Sequence, residues 1–405
     1  MNKSKFLKGA CLAAVAGLLP VTQATAGEEG VSWSLSGWIN EAVIYYDDGN
    51  ASDIVQAADN GTTLGSRMTF AGSADLPAGL FAGFEVIIEP LSVDMPLLVA
   101  NQDGTGSPNA FGDTNGQALN VLGSSVNFGG SWGKFTVGLQ TMPTDNIAVL
   151  ADPSLTLWDS IGVVFRANNF TVRGLGAGAT NTTWGSFLQC QTIGGGGIGL
   201  DCNGIYRNGV RYDLPTFIEN LGIAVGYAND DVYDVAGKWN GELGRLKTIL
   251  HLGYTQNQGV NTLYKETDLF QAQLGLMDPV TGLFGTFAYQ NEDSEGVGLA
   301  ANDQDDSDVY WLKVGIKKQF NSLGDTAIAF QYGSYNDQYG AGSGLTGSEV
   351  ERIGVSVNQY FGSKLIIYGA WENMDLDVDG PAAATAAYSG ADDLDLFTLG
   401  LNYFF

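Results

Sequence analysis

The 405-residue chain has one histidine, three cysteines and ten prolines, and it sets only 18 basic residues against 44 acidic ones. Each scarcity excludes something. A formal charge of −26 argues against nucleic acid as a partner, because phosphate backbones are held by clustered Lys and Arg. The lone histidine, His251, leaves a zinc site short of ligands. It also leaves a barrel hydrolase with one base and no serine motif beside it in "ILHLGYTQ". No stretch beyond residue 26 holds 18 consecutive apolar residues, so no segment there reads as a transmembrane helix. Helical periodicity is nowhere sustained, and no linker or low-complexity tract divides the chain.

What is present begins with an address. Lys3, Lys5 and Lys8 precede an apolar run from Gly9 to Leu19, and Ala24-Thr25-Ala26 follows as a small-x-small cleavage site. Residues 1–26 therefore read as a signal peptide and 27–405 as the mature domain. The run is shorter than the roughly 20 residues a spanning helix needs. Removing three lysines and no acids leaves a formal charge of −29. Cys11 goes with the peptide, and Cys190 and Cys202 remain on either side of the bendable Gly194 to Gly197 run, the setting for a disulfide in an exported protein.

Glycine is abundant, at 57 residues, and the aromatics are spread evenly. Sixteen segments alternate apolar and polar residues, from Ser32 to Asp47 through to Leu394 to Phe405. Most are near the ~9–11 residues of a tilted membrane strand. The even-numbered ones are followed by short turns such as Pro77-Ala78-Gly79. The odd-numbered ones are mostly followed by long polar excursions: 48 to 62, 90 to 118, 142 to 205, 257 to 267, 293 to 308, 336 to 348 and 373 to 393. A soluble sandwich has no reason to sort its connections by end. A transmembrane antiparallel up-and-down β-barrel of 16 strands does, with turns in the periplasm and loops outside. Tyr254, Trp239, Tyr310, Tyr403 and Phe405 fall near strand ends, as interfacial girdles require. One position resists the pattern: Glu41 shares the face of Leu35, Ile39 and Val43, which implies a bulge or a face not given to lipid.

The stretch Ser66 to Leu80, "SRMTFAGSADLPAGL", resembles the second strand, first turn and third strand of Gram-negative general diffusion porins. "GSWGKFTVGLQ" (Gly130 to Gln140), "RNGVRYDLPTF" (Arg207 to Phe217) and the terminal phenylalanine are similar to the same family. The resemblance implies a trimeric barrel in the outer membrane of a Gram-negative bacterium, among lipid and lipopolysaccharide, with the third loop folded inward and no cofactor. It also implies that Arg67 lines the constriction. The chain departs from the family at Leu139 and Gln140, where many relatives carry a basic residue, and its third loop lacks a Pro-Glu-Phe-Gly-Gly stretch.

Parity places Arg67, Lys134, Arg207, Arg211, Lys238, Arg245, Lys247, Lys313, Lys317, Arg352 and Lys364 inside. Asp145, Asp152 and Asp159 of the third loop are expected to face this basic wall and set up a transverse field, with Glu85 and Glu89 as counter-charges. The acidic runs Asn302 to Asp308 and Asp375 to Gly380 offer oxygen ligands of the kind Ca²⁺ takes, without EF-hand spacing. The reading is a water-filled channel for small hydrophilic solutes and ions that prefers cations, because the acidic loops crowd its mouth. Its rivals are a substrate-specific channel for an anion or a sugar, the latter suggested by inward Trp38, Trp311 and Tyr368, and, more remotely, a barrel hydrolase.

Overall fold

Residues that alternate in hydropathy give a sheet two unlike faces, and a closed sheet turns one of them wholly outward. The computed structural model describes residues 31–58, 65–91, 118–149, 152–156, 167–168, 170–176, 182–190, 199–204, 206–229, 231–258, 264–296, 306–339 and 344–405. Its strands are β1 (Val31–Asp47), β2 (Ser52–Ala58), β3 (Arg67–Leu76), β4 (Leu80–Leu91), β5 (Ala118–Gly130), β6 (Gly133–Gln140), β7 (Arg207–Asp213), β8 (Leu221–Ala228), β9 (Val232–Leu243), β10 (Leu246–Asn257), β11 (Tyr264–Met277), β12 (Leu283–Gly296), β13 (Asp306–Asn321), β14 (Gly324–Asn336), β15 (Gly347–Phe361), β16 (Leu365–Asp379) and β17 (Leu394–Phe404). From β3 onward each pairs antiparallel with the next. The last closes on the first, from Trp38 opposite Phe404 to Asp47 opposite Asp395. Because β2 and β3 pair with the two ends of β1, they form one stave, and the 17 strands make a sixteen-stave barrel. Closing β17 onto β1 pairs the first and last staves, which spares hydrocarbon an open sheet edge that it could not satisfy.

The last strand shows the two faces plainly. Leu399 is 63% exposed, with Phe397, Leu401 and Tyr403 beside it on the outer face, while Asn402 is fully buried inside with Thr398. Aromatic rings gather at both rims. Tyr289 packs on Tyr310 at 5.0 Å and Tyr45 on Phe397 at 5.8 Å at one rim; Phe135 stacks on Tyr212 at 4.5 Å at the other. The final residue is tied in: Phe405 N donates to the Gly37 carbonyl at 3.1 Å, and its ring lies where a Cβ on Gly37 would stand. We expect the barrel to resist detergent until boiled, with different gel mobility before and after heating and a β-type circular dichroism spectrum. Unchanged mobility would contradict the closed sheet.

Several connections differ from the sequence reading. The chain does not wander from 48 to 62 but turns at once, with the Asp48 carboxylate accepting from Asn50 N at 3.0 Å and Ala51 N at 2.7 Å, and runs back as β2. β11, β12 and β16 also continue into segments read as loops. Above the bilayer both faces of a hairpin meet water, so the ladder persists where the apolar alternation stops. Glu41 sits in an unbroken register opposite Leu401, so no bulge turns it inward and the outer face of β1 carries a carboxylate. Arg245 is a second correction: it lies in the turn between β9 and β10, its side chain 67% exposed, paired with Asp278 at 2.8 Å, and not on the pore wall.

Candidate functional site

The lumen is divided by the third loop, the segment between β6 and β7. At its start Thr144 donates from its backbone N to Asp234 Oδ2 at 2.8 Å, and its hydroxyl lies 2.9 Å from that oxygen and 2.7 Å from Thr255 Oγ1. Near its end Asn203 Nδ2 donates to Thr255 Oγ1 at 3.2 Å, so both ends of the loop meet on β9 and β10. Further along, Lys313 Nζ on β13 donates to Asp152 Oδ2 at 2.5 Å and to the Thr156 carbonyl at 3.0 Å. Lys317 Nζ and the Tyr360 hydroxyl both reach the Ser154 carbonyl, at 2.9 and 3.0 Å.

The far part of the loop is held by amides and a disulfide. Cys190 and Cys202 are joined, and the Gly199 carbonyl between them accepts from Gln290 Nε2 at 2.8 Å and Gln338 Nε2 at 2.9 Å. Above this, Phe170, Trp184 and Phe187 pack with Tyr46, Tyr335, Met374, Leu394 and Leu396 into an apolar core inside the barrel. The alternation of the strands implies a polar inner face, which this plug contradicts over one part of the barrel. The signal was there: Ile44, Val350, Leu376 and Leu396 are apolar at inward positions.

Among the described residues the loop's hydrogen bonds to the wall thus run along β9–β13 and β15. Five inward positions of β5–β7 are small instead, Gly123, Ser125, Thr136, Gly138 and Gly209, a band that lies between Gln140 and Arg207 at one end and Asn127, Lys134, Arg211 and Asp213 at the other. At Gly138, φ is 131° and a Cβ would lie 2.9 Å from Ser125 Cα, so no side chain fits there.

The sequence-derived residues fall as follows. Arg67 is buried, 2.9 Å from Glu89 and with its guanidinium 4.8 Å from the centre of the Trp38 ring. Lys134 and Arg211 share Asp213, at 3.3 and 2.7 Å. Arg352 meets Glu372 at 2.6 Å, both buried. Glu85 lies inward on β4, opposite Ser125, and Arg207 is opposite Gln140. Lys247 is inward on β10 and exposed, close enough to Lys317 to repel it. Asp159 lies outside the described residues.

The expected field between a basic wall and an acidic loop across open water is corrected at two places. Lys313 and Asp152 touch, with both side chains fully buried, and Lys238 Nζ donates to the Asp145 carbonyl at 3.1 Å. An enclosed charge is costly unless paired, so the wall and loop collapse onto each other there. The aromatics suggested as a sugar slide, Trp38, Trp311 and Tyr368, are buried in packed clusters. His251 points inward, and its Nε2 lies 3.1 Å from Asn240 Oδ1. The departure at Leu139 is an outward position, and Gln140 fills the inward one, donating to the carbonyls of Thr136 and Gly209. Of the acidic runs, 302–305 lie outside the described residues, and Asp375 and Asp377 stand on β16 opposite Glu351 and Glu349.

Two loop acids respond to pH in opposite senses. Burial pushes Asp145 up to about 6 against the pull of Lys238, Arg67 and Arg211, so its neutral form fits the docked loop. Asp152 is buried too, but the charge and hydrogen bond of Lys313, with two bonds from Ser154, hold it below its ordinary value. A raised carboxyl contributes docking stability that is complete below its unfolded value and lost as pH rises through about 6. A lowered one contributes above its unfolded value and loses it in acid. Asp145→Asn should therefore protect the loop from proteolysis at pH 8 and change nothing near pH ~4. Protection that does not vary with pH would contradict this.

Curated protein sequences give no match to the chain. Among solved structures it is similar to the anion-selective porin from Comamonas acidovorans, 19% identical with a TM-score of 0.56, covering 93% of this chain and 100% of that one. It is similar also to outer-membrane expressed OmpT of Vibrio cholerae, 13% identical with a TM-score of 0.55, covering 94% and 99%. The trimer form of in-vitro folded OmpT from Vibrio cholerae is 11% identical with a TM-score of 0.52, covering 93% and 100%. At these identities the likeness carries the fold. The family follows from the sequence itself: a model of the Gram-negative porins matches residues 10–404, and the chain belongs to that family, as a β-barrel channel of the outer membrane.

Proposed function

We propose that this porin is a general diffusion channel that prefers cations, works as a homotrimer, and passes small hydrophilic solutes along the wall formed by β3–β7. The observation that carries the reading is the one-sided docking of the third loop. Among the described residues its side-chain hydrogen bonds to the wall go to β9–β13 and β15, while the middle of β5–β7 presents a band of glycine, serine and threonine inward between its charged ends. Space is left where side chains are small.

Cation preference is supported by how the basic residues are spent. Arg67, Lys134, Arg211, Lys313 and Arg352 each have a carboxylate within 3.3 Å, which cancels most of their pull on a passing anion. The formal charge of −29 after removal of residues 1–26 then sets the sign at the mouth. Glu41 supports assembly, since a carboxylate opposite Leu401 on the outer face is better covered by a second copy than by hydrocarbon. The Comamonas acidovorans porin is described as anion-selective, so sign is a property of each chain's own charges. In planar bilayers with a salt gradient the reversal potential should show cation preference that weakens as salt rises. Arg67→Ala should increase it. Anion preference at low salt would overturn the reading.

A further inference from the structure

Tyr206, the last residue before β7, takes part in no interaction described above. Its ring does not point along its own strand. It lies back over the inner wall, where a Cβ on Gly123 of β5 would stand 3.1 Å from Tyr206 Cε1 and 3.3 Å from Ile87 Cδ1 on β4. The ring therefore covers the wall that the one-sided docking leaves open. Two local features make room for it. Gly123 has no side chain, and the register between β4 and β5 shifts at this point, pairing Ile87 with Gly123 but Ile88 with Val121, so that Leu122 is an extra residue. Bulges of this kind re-aim side chains and concentrate near functional positions. The phenol lies within electrostatic reach of Arg67, Asp145, Glu85 and Glu89. Burial, opposed by Arg67 and reinforced by the three carboxylates, raises its ionisation well above the ordinary range and keeps it a neutral donor.

We propose that Tyr206 is a specificity-determining residue of the channel: lying on Gly123 and Ile87 at the level of Arg67, its ring sets the cross-section of the passage and hence the largest neutral hydrophilic solute admitted. This rests on the reading that solutes run along β3–β7. A phenol suits the position because its face lets sugars and ions slide past without a fixed charge, while its rigid ring keeps one width. The neighbouring ion pair of Arg67 and Glu89 supplies polarity.

The test uses the full-length protein reconstituted into planar bilayers and into liposomes, with unitary conductance in KCl and swelling rates for arabinose, sucrose and raffinose as readouts. Tyr206→Ala should raise conductance and speed raffinose entry relative to arabinose, whereas Tyr206→Phe should match wild type. Gly123→Ala, which forces the ring by a few tenths of an ångström further into the lumen, should lower both, and the Gly123→Ala/Tyr206→Ala double variant should lose that decrease. Heat-modifiable gel mobility checks that each variant folds; should Tyr206→Ala fail to fold, the Gly123→Ala and Tyr206→Phe pair still decides. Equal conductance and size limit in wild type, Tyr206→Ala and Gly123→Ala would overturn the role of Tyr206 while leaving the channel reading intact. Wild-type protein that neither conducts nor swells liposomes would overturn the channel reading itself.

Discussion

Replacing Lys313 with Met should release the third loop from the β13 wall, at a cost of about 3–5 kcal/mol. Lys313 and Asp152 form a pair with neither side chain exposed, and Lys313 also holds the Thr156 carbonyl. Methionine keeps the length of the side chain and removes the charge. It strands a carboxylate that still accepts from Ser154 N at 2.8 Å but has lost its cation. Burial, until then outweighed by Lys313, should dominate the ionisation of Asp152, so the variant's defect should shrink as pH falls and the carboxyl takes up a proton. The Lys313→Met/Asp152→Asn double variant should recover most of the loss, because no unpaired charge remains. Limited proteolysis of the loop and the noise of the open-channel current would report its release. A single variant as quiet and as resistant as wild type would mean that the pair does not hold the loop.

Arg352→Met should have an effect of similar size on the barrel itself. Arg352 donates to Glu372 at 2.6 Å, to Gln331 Oε1 at 3.1 Å and to the Tyr335 hydroxyl at 3.3 Å, and Gln331 donates in turn to Glu372 at 2.9 Å. The four side chains link β14, β15 and β16 beneath the apolar plug. Taking away the guanidinium leaves Glu372 buried among groups arranged for an anion with its cation, at about 3–5 kcal/mol. The Arg352→Met/Glu372→Leu pair should cost far less than the single change, because two well-packed apolar side chains avoid the desolvation that the ion pair bears. The temperature at which the folded band converts on a gel would measure both. Equal losses in single and double variants would assign the effect to packing and not to the stranded charge.

The barrel was legible because one force writes it everywhere: hydrocarbon on one side and water or protein on the other impose a period of two, as in Leu250, Leu252 and Tyr254 outside against His251 and Thr255 inside. The same pattern located Arg67, Glu85, Glu89, Lys313 and Arg352 on the inner face. It could not say what they touch, since parity fixes direction and not partner. Lys313 meets Asp152 across more than a hundred residues of sequence. The turn at Asp48 is not legible in the sequence because Asp-Gly-Asn opens a long polar segment as readily as a tight hairpin. Arg245 stands one residue past the last ladder pair, Leu246 with Leu243, where the strand's alternation no longer fixes direction. The plug was the larger omission. Phe170, Trp184 and Phe187 stand in an aperiodic loop, and only the enclosing apolar positions of β1, β15, β16 and β17 announce that something greasy must fill the barrel's inside. Tyr206 escaped for a related reason: its ring crosses to β4 and β5 against the direction its own strand would give it.

The claim that solutes run along β3–β7, past a loop packed on the opposite side, is tested most directly by chemical access to the two walls during conduction. Ser125 lies inward on β5 between Glu85 and Gly138, and Ser356 lies inward on β15, buried on the docked side. Each is changed to Cys separately and exposed to a charged, water-soluble methanethiosulfonate while single-channel current is recorded. Current should fall stepwise in Ser125→Cys and stay unchanged in Ser356→Cys. Block in Ser356→Cys with none in Ser125→Cys would place the passage on the other side of the loop and contradict that claim.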